Sequence, residues 1–378
     1  MQRHAGLLMF LWLACSAAHA QWQMEDSHTT ADLRGIDNVG GGVVWASGTN
    51  GTVLRTEDGG YLWQTCAVPP GAEHLDFRGV QAFDANTAIV MSSGKGDLSR
   101  LYKTTDGCQT WKLVFTNPEE DGFWDAIRFP GIKQGIVLGD PVNGHFRLFE
   151  STDAGETWGE ASADLPLSLS NSMNWQHARD GESVFAASNS ALFSSLDLLG
   201  FVSGGTPGSR IFYAYRDYAE MSRCAFSERT GVNQFALALP EGSESAGAFS
   251  AFATEDRKVV IVGGDFKRPD DSSGTAALSG MAEFGCRPGP CTVQTFPHGF
   301  RSAIAYDAAS KTWITVGPNG TDISTDDGRN WRALHPDPAL HEAPDADRNW
   351  NALSLPFVVG PHGRIGKMNP HALETQSR

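Results

Sequence analysis

The chain has 378 residues, with 29 lysines and arginines against 44 aspartates and glutamates, for a formal net charge of −15. That field repels phosphate backbones and no basic stripe offsets it, so nucleic acid is excluded as an expected partner. Gly is abundant, at 42 residues, and no long stretch shows a helical period, which points to an all-β chain of short strands.

Residues 1–20 read as an export signal. Arg3 supplies a basic start, Ala5 to Ala14 form an apolar run too short to cross a bilayer, and Ala18-His19-Ala20 has the small-x-small pattern of a cleavage site. The mature chain is therefore expected to begin at Gln21 and to be periplasmic or secreted. The alternative is a lipoprotein anchored through Cys15, which Trp12 and Leu13 fit poorly. No later stretch is long and apolar enough to predict a transmembrane helix.

From Leu33 onward one unit recurs about every 40–50 residues. An apolar strand enters a Gly- or Ser-containing turn at Val43-Val44-Trp45, Ala88-Ile89-Val90, Ile136-Val137-Leu138, Val184-Phe185-Ala186, Val259-Val260-Ile261, Trp313-Ile314-Thr315 and Phe357-Val358-Val359. The turns themselves fall at Ser47-Gly48, Ser93-Gly94, Gly139-Asp140, Ser188-Asn189, Gly264-Asp265, Gly317-Pro318 and Gly360-Pro361. About ten residues before several of these stands an inner-strand motif: Leu33-Arg34-Gly35-Ile36, Phe77-Arg78-Gly79-Val80, Trp124-Asp125-Ala126-Ile127, Phe300-Arg301-Ser302-Ala303-Ile304 and Trp350-Asn351-Ala352-Leu353. Small residues there suit strands crowded around an axis.

Four units also end in one spelling, Ser/Thr-x-Asp-x-Gly-x-x-Trp. They run from Thr56 to Trp63 around Asp58, Thr104 to Trp111 around Asp106, Ser151 to Trp158 around Asp153, and Ser324 to Trp331 around Asp326. The second departs by placing Cys108 at the Gly position. The Asp carboxylate can accept backbone N–H bonds of a tight turn, the Gly tolerates positive φ, and the Trp packs into the next layer. These boxes are read as structural staples, not as catalytic groups.

Short strands at this period predict a seven-bladed β-propeller of four-stranded antiparallel blades. The last unit has room for only three strands, so Gln21-Trp22-Gln23-Met24 is expected to complete it, with Trp22 in the role of the box Trp. The expected organisation is one propeller domain over residues 21–378. The long step from Ser188 to Gly264 predicts an insertion at about 201–247, with blade boundaries between 198 and 248 left open. Among the cysteines, Cys286 and Cys291 flank a tight Arg-Pro-Gly-Pro loop that suits a local disulfide. Cys66 and Cys108 suit a bridge between adjacent blades, and Cys224 is left over.

Arg34, Arg78 and Arg301 look equivalent on three inner strands and are expected to line an axial funnel together with Trp124, a cationic patch for a protein, an acidic small ligand or a glycan. The competing reading is a glycoside hydrolase, which needs two carboxylates; Asp125, Asp140 and Asp265 are the candidates. His145 and His177 are possible proton carriers, and His335, Asp337, His341, Glu342, Asp345 and Asp347 invite a metal reading that their Pro-broken segment makes second to a solvated loop. No metal site or cofactor is expected, and the chain is expected to be monomeric.

The repeat, best spelled from Trp45 to Trp63, resembles the photosystem II stability/assembly factor family, a branch of the Asp-box propellers. The resemblance spans essentially the whole mature chain and implies a non-enzymatic helper that docks on protein partners. Sialidases share the box, but their opening Arg-Ile-Pro signature does not occur here, and no Tyr/Glu nucleophile pair is identifiable.

Overall fold

The computed structural model describes residues 21–161, 177–195, 198–215, 233–280, 292–369 and Leu373. Among these residues the strands form seven antiparallel sheets, six of four strands and one of five. The first sheet shows the plan. Leu33–Gly40 is the inner strand, followed outward by Val43–Gly48, Val53–Thr56 and Gln64–Thr65. Second strands such as Val43–Gly48, Ala88–Ser92 and Lys258–Asp265 are buried along almost their whole length. A sheet with another sheet on each face has no side for water, so its second strand reads as an unbroken apolar run and not as an alternation. The inner strands lie against one another in chain order, and Ala352–Ser354 of the seventh sheet lies against Leu33–Gly40 of the first.

The amino-terminal strand Trp22–Glu25 pairs with Ile365–Met368, Trp22 opposite Met368. Trp22 is buried, with its ring 5.9 Å from that of Trp350. The strand therefore sits where the sequence places it, as the fourth strand of the last sheet.

Each box closes its turn in the same way. Thr56 donates its hydroxyl to Asp58 at 2.8 Å, and Asp58 accepts the Leu62 N–H at 3.0 Å; Thr104, Ser151 and Ser324 repeat the first contact with Asp106, Asp153 and Asp326. Hydrogen bonds from the Thr110 hydroxyl and N–H hold Asp106 down at about 2, and Thr157 does the same for Asp153. Two successive residues of each box have positive φ, and Cys108, at φ 63, is one of them. In the first box a side chain at the corresponding Gly60 would strike the Glu25 carboxylate at 2.2 Å. In the second box Cys108 instead bonds to Cys66, joining the first two sheets. Cys286, Cys291 and Cys224 lie outside the described residues.

The boxes are also tied across sheets by cations that no motif announces. Lys103 of the second sheet donates to the Ala154 carbonyl at 2.9 Å and to Glu156 at 2.7 Å, both in the third box. Lys367 of the seventh sheet reaches the Gly59 carbonyl of the first box at 2.6 Å, and Lys258 of the fifth pairs with Asp327 of the sixth at 2.9 Å.

Between the third and fifth sheets the structure departs from expectation. Val184-Phe185-Ala186 is not a strand, and Ser188-Asn189 is not a hairpin turn. The fourth sheet is built from Leu192–Ser194, Leu198–Val202, Ser209–Tyr215 and Asn233–Leu237, and Ala246–Ala253 already begins the fifth. Most of the described part of 201–247, expected as an insertion, is thus regular sheet. The fifth sheet gains its extra strand because Glu182–Ser183 and Gly204–Gly205 add to its inner edge.

Candidate functional site

The inner strands of the first, second, third and fifth sheets carry a β-bulge at the turn end, in the fifth between Ala248 and Ser250; in the first three the extra residue is polar. The register slips between Leu33 and Gly35, between Phe77 and Gly79, and between Trp124 and Ala126, leaving Arg34, Arg78 and Asp125 as the extra residues. A bulge takes a side chain out of the strand's alternation and re-aims it. These three side chains, with Asp76 and Asp140, form the polar half of a site at the turn end of the inner strands.

Arg78 is well held: its Nε donates to Asp76 at 2.8 Å and its Nη1 to the Ala186 carbonyl at 3.1 Å. Arg34 is not. Its two acidic neighbours, Asp76 and Asp32, stand at 3.6 and 3.9 Å, and its buried Nε has no hydrogen-bond partner. The facing Oδ1 of Asp76 is likewise buried without one. About 28% of the Arg34 side chain is open to solvent. Asp76 lies between the two guanidinium groups, so the pair is partly neutralised and is not a bare cationic patch.

Behind Arg78 stands a carboxyl pair. Burial pushes Asp125 well above the usual carboxylate range, and the charge of Asp140 adds to this while Arg78 opposes it. Burial likewise pushes Asp140 up to about 6, although it accepts the Val184 N–H at 2.9 Å. Asp265 is elsewhere, in the fifth sheet. Burial opposes its charge, but hydrogen bonds from Ser245, Arg268 and the Lys267 N–H hold it below the usual range.

Two of the expected ligand-binding residues are not at this mouth. Trp124 is fully buried, its ring 5.2 Å from Phe115 in stacked geometry. Arg301 is also fully buried, bonded to Asp322, to the Phe300 carbonyl at 2.8 Å and to His298 at 2.9 Å. The reason is register. The turn glycines Gly48, Gly139 and Gly317 pack over the carbonyls of Asp32, Phe123 and Phe300, so Arg301 falls where Leu33 and Trp124 stand, not where Arg34 stands. A one-residue slip in a strand exchanges its faces.

The segment Ala186–Ser190 was not expected here. Besides receiving Arg78, it sends the Ser188 hydroxyl to the Ser302 carbonyl at 2.7 Å. Asn189 Oδ1 accepts the Ile127 N–H at 2.7 Å, and Ser190 shares a hydroxyl contact with Ser250 at 2.6 Å. One short segment therefore touches the second, third, fifth and sixth sheets and spans the centre between the inner strands. Beside it lies an aromatic group: Phe185 stacks on Phe249 at 3.9 Å, Phe300 meets Phe249 edge-on at 4.7 Å, and Phe266 is about half exposed.

The remaining candidates find other partners. His145 and His177 meet with ring centroids 4.3 Å apart and their planes tilted by 47°. Glu342 accepts the backbone N–H groups of Gln21 and Trp22, Asp345 pairs with Arg364 at 3.2 Å, and Asp347 lies 3.4 Å from Arg348 and 3.9 Å from His335, which spreads the acidic loop over separate contacts. No helix among the described residues is long and apolar enough to cross a membrane.

No family model and no curated protein matches the chain. Solved structures do. YCF48 bound to a D1 peptide aligns with a TM-score of 0.57 at 16% identity, covering 93% of this chain and 97% of that one. YCF48 from Cyanidioschyzon merolae gives 0.59 at 15%, covering 93% and 100%. The extracellular domain of the putative hybrid two component system BT3049 from B. thetaiotaomicron gives 0.56 at 9%, covering 96% of this chain and 42% of that one. The fold is that of a β-propeller similar to YCF48, in agreement with the resemblance carried by the boxes.

Proposed function

We propose that this chain is an exported, non-enzymatic β-propeller of seven blades, closed by its amino-terminal strand, that captures an acidic segment of a protein partner at the turn-side mouth. The observation that carries the reading is Arg34: a guanidinium about 28% open to solvent whose acidic neighbours stand at 3.6 and 3.9 Å, beyond hydrogen-bond reach, next to a second arginine. A planar fork of donors left open in a partly dry site suits a carboxylate. The aromatic group around Phe266 offers apolar contact beside it. That YCF48 has been solved with a D1 peptide supports a peptide as the kind of ligand. The reading needs no cofactor or metal and takes the chain as a monomer.

A second reading has one observation in its favour. Asp125 and Asp140 are adjacent carboxyls whose burial raises both, as a general acid requires. As a glycoside hydrolase the protein would use this pair, without Asp265. The two readings separate in one experiment with the exported protein: a panel of aryl glycosides and sialosides, and cross-linking capture from envelope extract, run on wild type and Asp125→Asn/Asp140→Asn. The binding reading expects no turnover above background and capture retained in the variant. Turnover abolished by the substitutions would replace it with the hydrolase.

A further inference from the structure

Glu342 stands out among the acidic residues of its loop because it reaches across the whole chain. Its Oε1 accepts the N–H of Gln21 and, at 3.1 Å, that of Trp22, while its Oε2 accepts the N–H of Asp337. Gln21 is held from the other side too: its carbonyl accepts the Asn369 N–H at 3.0 Å, and only 9% of the residue is exposed. The next residue, Trp22, opens the strand that pairs with Ile365–Met368. The strand thus begins at Trp22, two residues beyond Ala18-His19-Ala20, and the Glu342 carboxylate meets the backbone at that point.

We propose that, when residues 1–20 are removed as the sequence leads one to expect, Glu342 is the receptor for the α-ammonium group created on Gln21. Water adds to the Ala20 carbonyl carbon and the C–N bond breaks. Ala20 leaves as a carboxylate on the released peptide, and the Gln21 nitrogen takes up both protons of that water to become an ammonium. Before cleavage the Gln21 nitrogen offers one neutral N–H; afterwards it offers three donors and a full positive charge. A charge-assisted hydrogen bond is about twice as strong as a neutral one. Cleavage therefore strengthens the contact that anchors the last sheet. The order of events is compatible, because an exported chain presents Gln21–Glu25 first and Ile365–Met368 almost last. The peptidase can therefore act before the partner strand of Trp22–Glu25 has arrived. The inference rests on residues 1–20 being an export signal and is independent of the ligand at the mouth.

The test begins with the full precursor, expressed in a bacterium that exports it, and the intact mass and terminal sequence of the product. A chain beginning at Gln21 is expected; an uncut chain, a different first residue or a lipid on Cys15 overturns the proposal. Glu342→Gln is then made in two backgrounds, the processed chain and a chain with an uncleavable extension before Gln21, and thermal midpoints are compared. The substitution is expected to lower the midpoint by a few degrees in the processed chain and by clearly less in the extended one. Equal losses would mean that Glu342 serves only a backbone amide, and the receptor role would be lost. Should Glu342→Gln fail to fold, Glu342→Asp in the processed chain is read by the rate at which an amine-reactive ester labels Gln21. Faster labelling than in wild type is expected, and an unchanged rate refutes the pairing.

Discussion

Cys108 occupies a box position where its φ of 63 suits glycine, and it spends that position on a bond to Cys66. Replacing both cysteines by alanine separates the two effects. The sequence separation is 42 residues, for which the chain-entropy relation gives about 4 kcal/mol of stabilisation lost with the crosslink. Unfolding entropy of about 2.1 cal/mol/K per residue amounts to roughly 0.8 kcal/mol/K for a chain of this length, so the midpoint should fall by about 5 °C. Cys66→Ala/Cys108→Gly loses the same crosslink but removes a Cβ from the left-handed region, which recovers about 1 kcal/mol, or ~1–2 °C. Thermal unfolding followed by circular dichroism, with the wild type measured oxidised and reduced, reads all of these. A reduced or alanine-substituted protein within 1 °C of wild type would refute the crosslink's role, and a glycine variant no better than the alanine variant would refute the conformational argument.

Three further outcomes follow from buried and linking charges. Arg301→Met leaves the buried Asp322 with His298 alone and should cost up to about 3–5 kcal/mol in urea unfolding, while Arg301→Met/Asp322→Leu should recover most of that. Lys103→Met, which cuts the tie to the third box, should cost about 1–2 kcal/mol in the same assay, whereas the exposed Lys112→Met should be close to neutral. Asp140 is raised in the folded state from 3.8 to about 6, so the fold binds the proton more tightly than the unfolded chain does. Its contribution is therefore full below about pH 4 and is lost as pH rises to about 6. Asp140→Asn should gain stability over wild type across that window; a difference that stays flat with pH would contradict the burial argument.

The boxes were legible because they are local. Thr56, Asp58 and the Leu62 N–H lie within seven residues of one another, and the same spelling produces the same turn four times. The place of Trp22 in the last sheet could be read from a shortage, since the last unit lacked a strand and the amino terminus offered one. Arg301 misled because Phe300-Arg301-Ser302 looks like Phe77-Arg78-Gly79, while its register is set by Gly317 packing on the Phe300 carbonyl, a contact between strands. Ser188 and Asn189 misled for a related reason. Their composition suits a turn, but their hydrogen bonds go to Ser302 and Ile127 in other sheets, far away in sequence. Lys103 and Lys367 carried no signal at all, because a lysine on an outer strand looks like any solvated charge until the neighbouring sheet is placed beside it.

Arg34 is the residue on which capture of a carboxylate depends. The most direct test is a fluorescence-anisotropy titration of a labelled peptide carrying acidic residues, against the same peptide with those residues amidated, on wild type, Arg34→Ala and Arg301→Met. Loss of a charge-assisted hydrogen bond worth about 1.5–3 kcal/mol should weaken binding of the acidic peptide roughly tenfold or more in Arg34→Ala, while Arg301→Met, if folded, keeps wild-type affinity. Equal affinity of wild type for the acidic and amidated peptides, or undiminished binding by Arg34→Ala, would contradict the claim that the turn-side mouth receives a carboxylate.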